Sequence, residues 1–227
     1  MSRPVPTRIF HITPITNLAK ICAAGEICSK NLLATRGEGH DSIAHTTIQT
    51  RRATKVVACP PGGVVHDYVP FYYAPRSPML FVVNNGKVQG CNWRQEDIVH
   101  IESSAESIAI AGAPFVIYPV SAALDYSVEC FNAIDDLERI DWPLFFEAPQ
   151  LDGFCKYYNS KPGTPRYERR SDTRMAEFLV HEKFSLSLAT RVGVINESTR
   201  NEVAGILSAH GVELSVESRP NWYFLGQ

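Results

Sequence analysis

Residues 66–79 read His66-Asp67-Tyr68-Val69-Pro70-Phe71-Tyr72-Tyr73-Ala74-Pro75-Arg76-Ser77-Pro78-Met79. Three prolines in nine positions exclude a regular helix, because each ring removes an amide donor and crowds the preceding turn. Four aromatic side chains and one arginine are packed between them. Such a segment is expected to be rigid without being regular. Two readings fit it. In one, the aromatics fill the core beneath an irregular connection. In the other, tyrosine faces form a wall for a planar ring such as nicotinamide or a nucleobase, and the arginine pairs with phosphate.

On the N-terminal side of this stretch, Arg8-Ile9-Phe10-His11-Ile12 reads as a short strand. Thr13-Pro14 then predicts an N-cap followed by proline at the first helical position, with a helix running to Gly25 on the spacing of Ile15, Leu18, Ile21 and Cys22. Residues 34–66 read as loop, apart from a short helix near 43–52. On the C-terminal side, Leu80-Phe81-Val82-Val83 before Asn84-Asn85-Gly86 reads as a strand entering a turn, and residues 97–101 as a second strand. Ser103-Ser104-Ala105-Glu106 has a capping-box pattern that opens a helix closed by Gly112. Residues 115–118, 176–180 and 192–195 are expected as strands, 131–142 and 198–210 as helical, and 212–217 as a closing strand. This mixture lacks a regular βαβ rhythm and any internal repeat, which favours an α+β fold. Neither G-x-G-x-x-G nor a Walker A loop is present, so a dinucleotide would have to be held in another way.

The 227 residues, 44% hydrophobic and 20% charged, suit one globular domain over 1–227. The opening Met1-Ser2-Arg3-Pro4 carries no apolar run suited to a signal peptide or membrane span, so the expectation is a cytoplasmic protein without a membrane segment. The six cysteines show no C-x-x-C pair and no zinc-finger spacing; reduced packing residues and no metal are expected. A net charge of −2 argues against a surface coated in positive potential. Residues 156–174 differ, with Lys156, Lys161, Arg166, Arg169, Arg170 and Arg174 against Glu168 and Asp172. Such a stretch is either a solvated loop or a phosphate track.

Glu177 lies in an otherwise apolar strand, where alternation places it with Leu179 on one face, opposite Phe178 and Val180. It is either an edge or surface glutamate or an acid held in a pocket. His11 poses the same choice between a satisfied core residue and a site residue. Arg51-Arg52, near the end of a short helix, is either a solvated face or an anion clamp.

In this order, Phe10-His11-Ile12-Thr13, Ser42-Ile43 through Arg51-Arg52, Pro61-Gly62-Gly63-Val64, residues 67–79 and Ala176-Glu177-Phe178-Leu179-Val180 closely resemble the DarT family, toxins that transfer ADP-ribose from NAD to bases of single-stranded DNA. Residues 135–137, 140–142 and Asn221-Trp222-Tyr223 fit as well, so the likeness runs from about Pro6 to Tyr223. The resemblance implies an ADP-ribosyltransferase-like core, a mixed split sheet with helices around it, whose cleft holds bent NAD as co-substrate. By motif position Glu177 and Arg52 would be catalytic, with Arg51 the alternative if the register shifts. His11, Thr13, Arg52 and Tyr72 would hold NAD. Arg76, Met79, Arg166, Arg169, Arg170 and Arg174 would meet the DNA.

Where many relatives carry Thr-Asp-x-His, this chain reads Tyr118-Pro119-Val120-Ser121. Thymine is the favoured target base and guanine the alternative. The implied partners are single-stranded DNA and a macrodomain antitoxin, with the enzyme itself a monomer. Transfer to RNA or protein, and an inactive nucleotide- or DNA-binding module, are the competing readings.

Overall fold

A computed structural model describes residues 2–44, 46–88, 92–124 and 126–225. In chain order its elements are β1 (Arg8–Pro14), α1 (Leu18–Ala24), β2 (Glu26–Cys28), α2 (Lys30–Thr35), α3 (Thr46–Thr54), β3 (Tyr68–Tyr72), α4 (Pro78–Asn84), β4 (Ile98–Ser104), α5 (Ala105–Ile110), β5 (Phe115–Tyr118), α6 (Pro143–Phe146), β6 (Gln150–Leu151), β7 (Phe154–Cys155), α7 (Arg170–Arg174), β8 (Glu177–His181), β9 (Lys183–Ser185), β10 (Arg191–Val194), α8 (Glu197–Ala209) and β11 (Val216–Ser218). Seven strands form one sheet in the order β11-β10-β4-β1-β3-β8-β5. Only β10–β11 is parallel; the other neighbours are antiparallel. This is the mixed core with surrounding helices that the motifs imply.

The middle of the sheet is where it opens. β1 is registered with β4 over all seven of its residues, yet with β3 only at Phe10↔Tyr72. Pro70 supplies the physical reason. The carbonyl of Pro70 is bonded by the His11 imidazole of β1 at 2.9 Å, so that edge of β3 faces β1. The N–H that proline lacks would have pointed the same way. A side chain therefore bridges the two strands where a backbone ladder cannot form. The proline-rich stretch is thus partly regular, since residues 68–72 are a strand at the centre of the sheet.

Other expectations shift for local reasons. The expected strand at 80–83 is helix α4: Ser77 caps it by accepting from the Leu80 amide at 3.2 Å, and Pro78 stands in the first turn. Cap and proline outweigh the β-branched composition. Thr13 and Pro14 extend β1 instead of starting a helix; a 3₁₀ turn follows and α1 ends at left-handed Gly25 (φ 67°). Residues 134–139 are 3₁₀ rather than α, and the last strand is confined to 216–218. The cap of α5 is Ser104, one residue later than the box pattern. Glu106 instead accepts from the amide and hydroxyl of Thr7.

The alternation in β8 holds. Phe178 and Val180 join the main core, whereas Leu179 packs with Val116 and Tyr118 on the other face. The described cysteines are free thiols, buried or half-buried; Cys91 lies outside the described residues.

Candidate active site

At the C-terminal end of β3 and the start of β8, Tyr72 and Glu177 are cross-strand partners. A cavity of about 240 Å³ opens there, walled by His11, Thr13, Arg52, Tyr72, Met79, Ser121 and Glu177 and roofed in part by residues 38–44. A second cavity, about 100 Å³, contains none of these residues.

Glu177 is 1% exposed. An isolated carboxylate in such a place is costly, so it requires a partner. Arg52, brought in by α3, supplies it: Nη1 donates to Oε1 at 3.0 Å and to Oε2 at 2.9 Å. Burial works against the Arg52 charge, but the carboxylate more than offsets it, and the guanidinium is held above its ordinary range. Burial, reinforced by the Glu177 charge, pushes the Tyr72 phenol up, so it remains a neutral donor beside the pair.

His11 is half-buried and its pKa is pulled down to about 4, mainly by burial. Its Nδ1 meets a carbonyl, so Nδ1 carries the proton and donates. Nε2 is then an acceptor, suited to a hydroxyl. Two residues on, the Thr13 hydroxyl accepts from Asn17 Nδ2 at 3.0 Å.

Several further residues join the site. Asn17 also donates to the Asp41 carbonyl at 2.9 Å and accepts from its amide at 2.9 Å, pinning the roof. Gln49 lies one turn before Arg52 on α3, and its Oε1 accepts from Lys30 Nζ at 2.8 Å and from His66 Nε2 at 3.0 Å. Burial, then the charges of Lys30 and Arg52, lowers His66 to about 4. Burial and Arg52 lower Lys30 as well. The i, i+3 spacing of Gln49 and Arg52 was a usable hint; the Lys30 and His66 contacts are long-range.

The basic residues expected at DNA divide. Arg76 and Arg174 are each 1% exposed and face inward. Arg76 Nη2 donates to the Cys155 carbonyl at 3.2 Å, and Arg174 donates to the carbonyls of Cys155, Tyr157 and Arg76. Burial pulls Arg174 down to about 10. Their expected role at phosphate is corrected: both brace the protein's own backbone. Arg170 is also buried, paired with Glu147 at 2.5 Å and laid over the Tyr167 ring, so it too turns from a solvent-facing contact to a structural one. Arg166 is exposed and paired with Asp141, and exposed Arg169 pairs with Asp172 and lies over Tyr126. Met79 stands in the cavity wall. Among the described residues no cluster of three or more His, Cys, Asp or Glu could hold a metal.

A DNA ADP-ribosyl transferase of Thermus sp. (strain 2.9) is 36% identical over 223 residues, covering 97% of this chain and 98% of that protein. Among solved structures, Thermus sp. 2.9 DarT in complex with ADP-ribosylated ssDNA superposes with a TM-score of 0.86 at 32% identity, covering 99% of both chains. The same DarT in complex with NAD+ gives 0.83 at 31%, covering 98% of this chain and 100% of that one. The family model described as DarT, ssDNA thymidine ADP-ribosyltransferase, matches residues 10–224. With that match over nearly all its length and a split sheet that buries an Arg–Glu pair at one cavity wall, this chain belongs to the DarT family of ADP-ribosyltransferases.

Proposed function

We propose that the protein transfers ADP-ribose from NAD to thymine in single-stranded DNA, with Glu177 holding the 2′-hydroxyl of the nicotinamide ribose. Its family makes the chain a NAD-dependent DNA ADP-ribosyltransferase; the base and the residue roles are our reading. The observation that carries those roles is the 1%-exposed carboxylate at the cavity wall, charge-paired to Arg52.

Cleavage of the nicotinamide bond builds positive charge on the ribose. A carboxylate that accepts from the adjacent hydroxyl stabilises that charge, and more strongly where water is excluded. Arg52 pairs with the Glu177 carboxylate and presents a cation to the incoming ring, whose attacking nitrogen must lose its proton. His11, through Nε2, and Thr13 hold sugar hydroxyls. Tyr72 packs against nicotinamide.

On the DNA side, Met79 meets the strand at the cavity wall. Exposed Arg166 and Arg169 contact phosphates, the latter beside the exposed Tyr126 ring on which a base can stack. No described helix is long and apolar enough to cross a membrane. A single catalytic domain acting as a monomer in the cytoplasm, restrained by a macrodomain antitoxin that removes ADP-ribose, completes the proposal.

The test is mass spectrometry of short oligonucleotides incubated with NAD. The wild type adds one ADP-ribose to strands containing thymine, and Glu177→Gln slows this by roughly a hundred- to a thousandfold. An adduct only on guanine-containing strands would move the target to guanine. A Glu177→Gln protein as fast as wild type would remove Glu177 from the mechanism.

A further inference from the structure

We propose that Ser121 and Arg51 are positioning residues that fix the rotation of the Glu177 carboxylate and leave Oε2 as the oxygen that meets substrate. Ser121 Oγ lies 3.4 Å from Glu177 Oε1, and the same oxygen accepts from the Ala123 amide at 3.2 Å. An amide occupies one side of that hydroxyl, so its hydrogen is directed at the carboxylate. Ser121 is 4% exposed, and bulk water does not compete for it.

The turn that presents Ser121 is tied to the helix that presents Arg52. Arg51 Nη1 donates to the Ala123 carbonyl at 2.9 Å, and Lys55, one turn later, donates from Nζ to the Leu124 carbonyl at 3.0 Å. A closed circuit follows: Arg51 to Ala123, Ala123 to Ser121, Ser121 to Glu177, Glu177 to Arg52, and back along α3.

The circuit loads the two carboxylate oxygens unequally. Oε1 accepts from Arg52 and from Ser121, whereas among the described residues Oε2 accepts from Arg52 alone. An ionised carboxylate has about four acceptor sites, two on each oxygen. Oε2 therefore retains capacity for the ribose hydroxyl, and turning the carboxylate out of this plane breaks the Ser121 bond. This inference rests on the reading of Glu177 given above. It also assigns work to Ser121, at the position where the family pattern has histidine.

The experiment measures kcat and KM for NAD on a thymine-containing oligonucleotide with wild type, Ser121→Ala, Ser121→Thr, Arg51→Met, the Arg51→Met/Ser121→Ala double variant and Glu177→Gln. Loss of a charge-assisted bond at this length is expected to lower kcat about tenfold in Ser121→Ala, with KM changed by less than about twofold. Ser121→Thr, which keeps the hydroxyl, recovers to within about threefold of wild type. Arg51→Met lowers kcat in the same direction, and the double variant is no slower than the worse single one, because both act through one turn. The proposal fails if Ser121→Ala turns over at the wild-type rate, if threonine does not rescue, or if the two losses multiply. Glu177→Gln separates the two layers. A slow Glu177→Gln beside a fast Ser121→Ala refutes the clamp alone, whereas a fast Glu177→Gln refutes the role of Glu177 itself.

Discussion

Arg52 spends one nitrogen on both oxygens of Glu177, and both side chains are nearly sealed from solvent. Removing one member of such a pair leaves the other as an uncompensated buried charge, which costs about 3–5 kcal/mol. Arg52→Ala should therefore lower unfolding stability by that order in urea titration. Adding Glu177→Gln should restore part of the loss, because the orphaned charge is gone. If the double variant were less stable than Arg52→Ala, the pair would not be held by charge. Glu177 and Arg52 were both legible as candidates, since a carboxylate in an apolar strand and a double arginine near a helix end are local anomalies. The family likeness gave each a separate role, but their partnership, across 125 residues, is visible only in the structure. Ser121 was legible only as a departure from that pattern, because a serine after Pro119 and Val120 is ordinary in itself. The inward turn of Arg76 and Arg174 was hidden for a related reason: nothing near either arginine in the sequence shows that the Cys155 carbonyl accepts from both.

Among the elements, β10 shows how closely one strand is fitted to the rest. Gly193 lies directly beneath Trp222, and a Cβ on it would occupy the space of the indole's six-membered ring. That indole cannot swing aside freely, since its Nε1 donates to Asp152 at 2.6 Å and it packs edge-on against Phe10. Gly193→Ala should destabilise the fold by about 1–3 kcal/mol or more through overpacking. Thermal melting is the check, and a wild-type melting temperature would contradict the fit. Strands β1, β5, β8 and β10 were legible from short apolar runs, and α1 and α8 from the glycines that follow them. Helix α4 was not, because Phe81-Val82-Val83 has strand composition and only the Ser77 hydroxyl and the ring of Pro78 decide the matter. β3 was concealed by Pro70, a residue that normally argues against a central strand. Its position is tolerated because the neighbouring strand stands off there and offers an imidazole instead of a backbone donor.

For the whole molecule, buried histidines are expected to make stability fall in acid. His100 is fully buried, donates from Nε2 to the Pro75 carbonyl at 2.9 Å and lies against Trp222 and Tyr223. Burial pulls its pKa down to about 4, with the Pro75 bond opposing in part. In the unfolded chain a histidine titrates near about 6.5. Between these values the unfolded chain holds a proton that the folded one does not, so stability is fully present above about pH 6.5 and is lost as pH falls toward 4. At pH 5 the loss from this one residue is on the order of 2 kcal/mol relative to pH 7. Melting at pH 7 and pH 5 should show a smaller drop in His100→Gln than in wild type; equal drops would assign the acid sensitivity elsewhere. His11 and His66, both also lowered to about 4, place the same requirement on the cavity itself.

The sparse seam between β1 and β3 divides the sheet into two plates of unlike cargo. One, built on β11, β10, β4 and β1, carries His11 and Thr13; the other, built on β3, β8 and β5, carries Tyr72 and Glu177. In the proposed binding mode a dinucleotide laid across that seam would be a splint, stitching together from outside what the peptide backbone leaves nearly unstitched within.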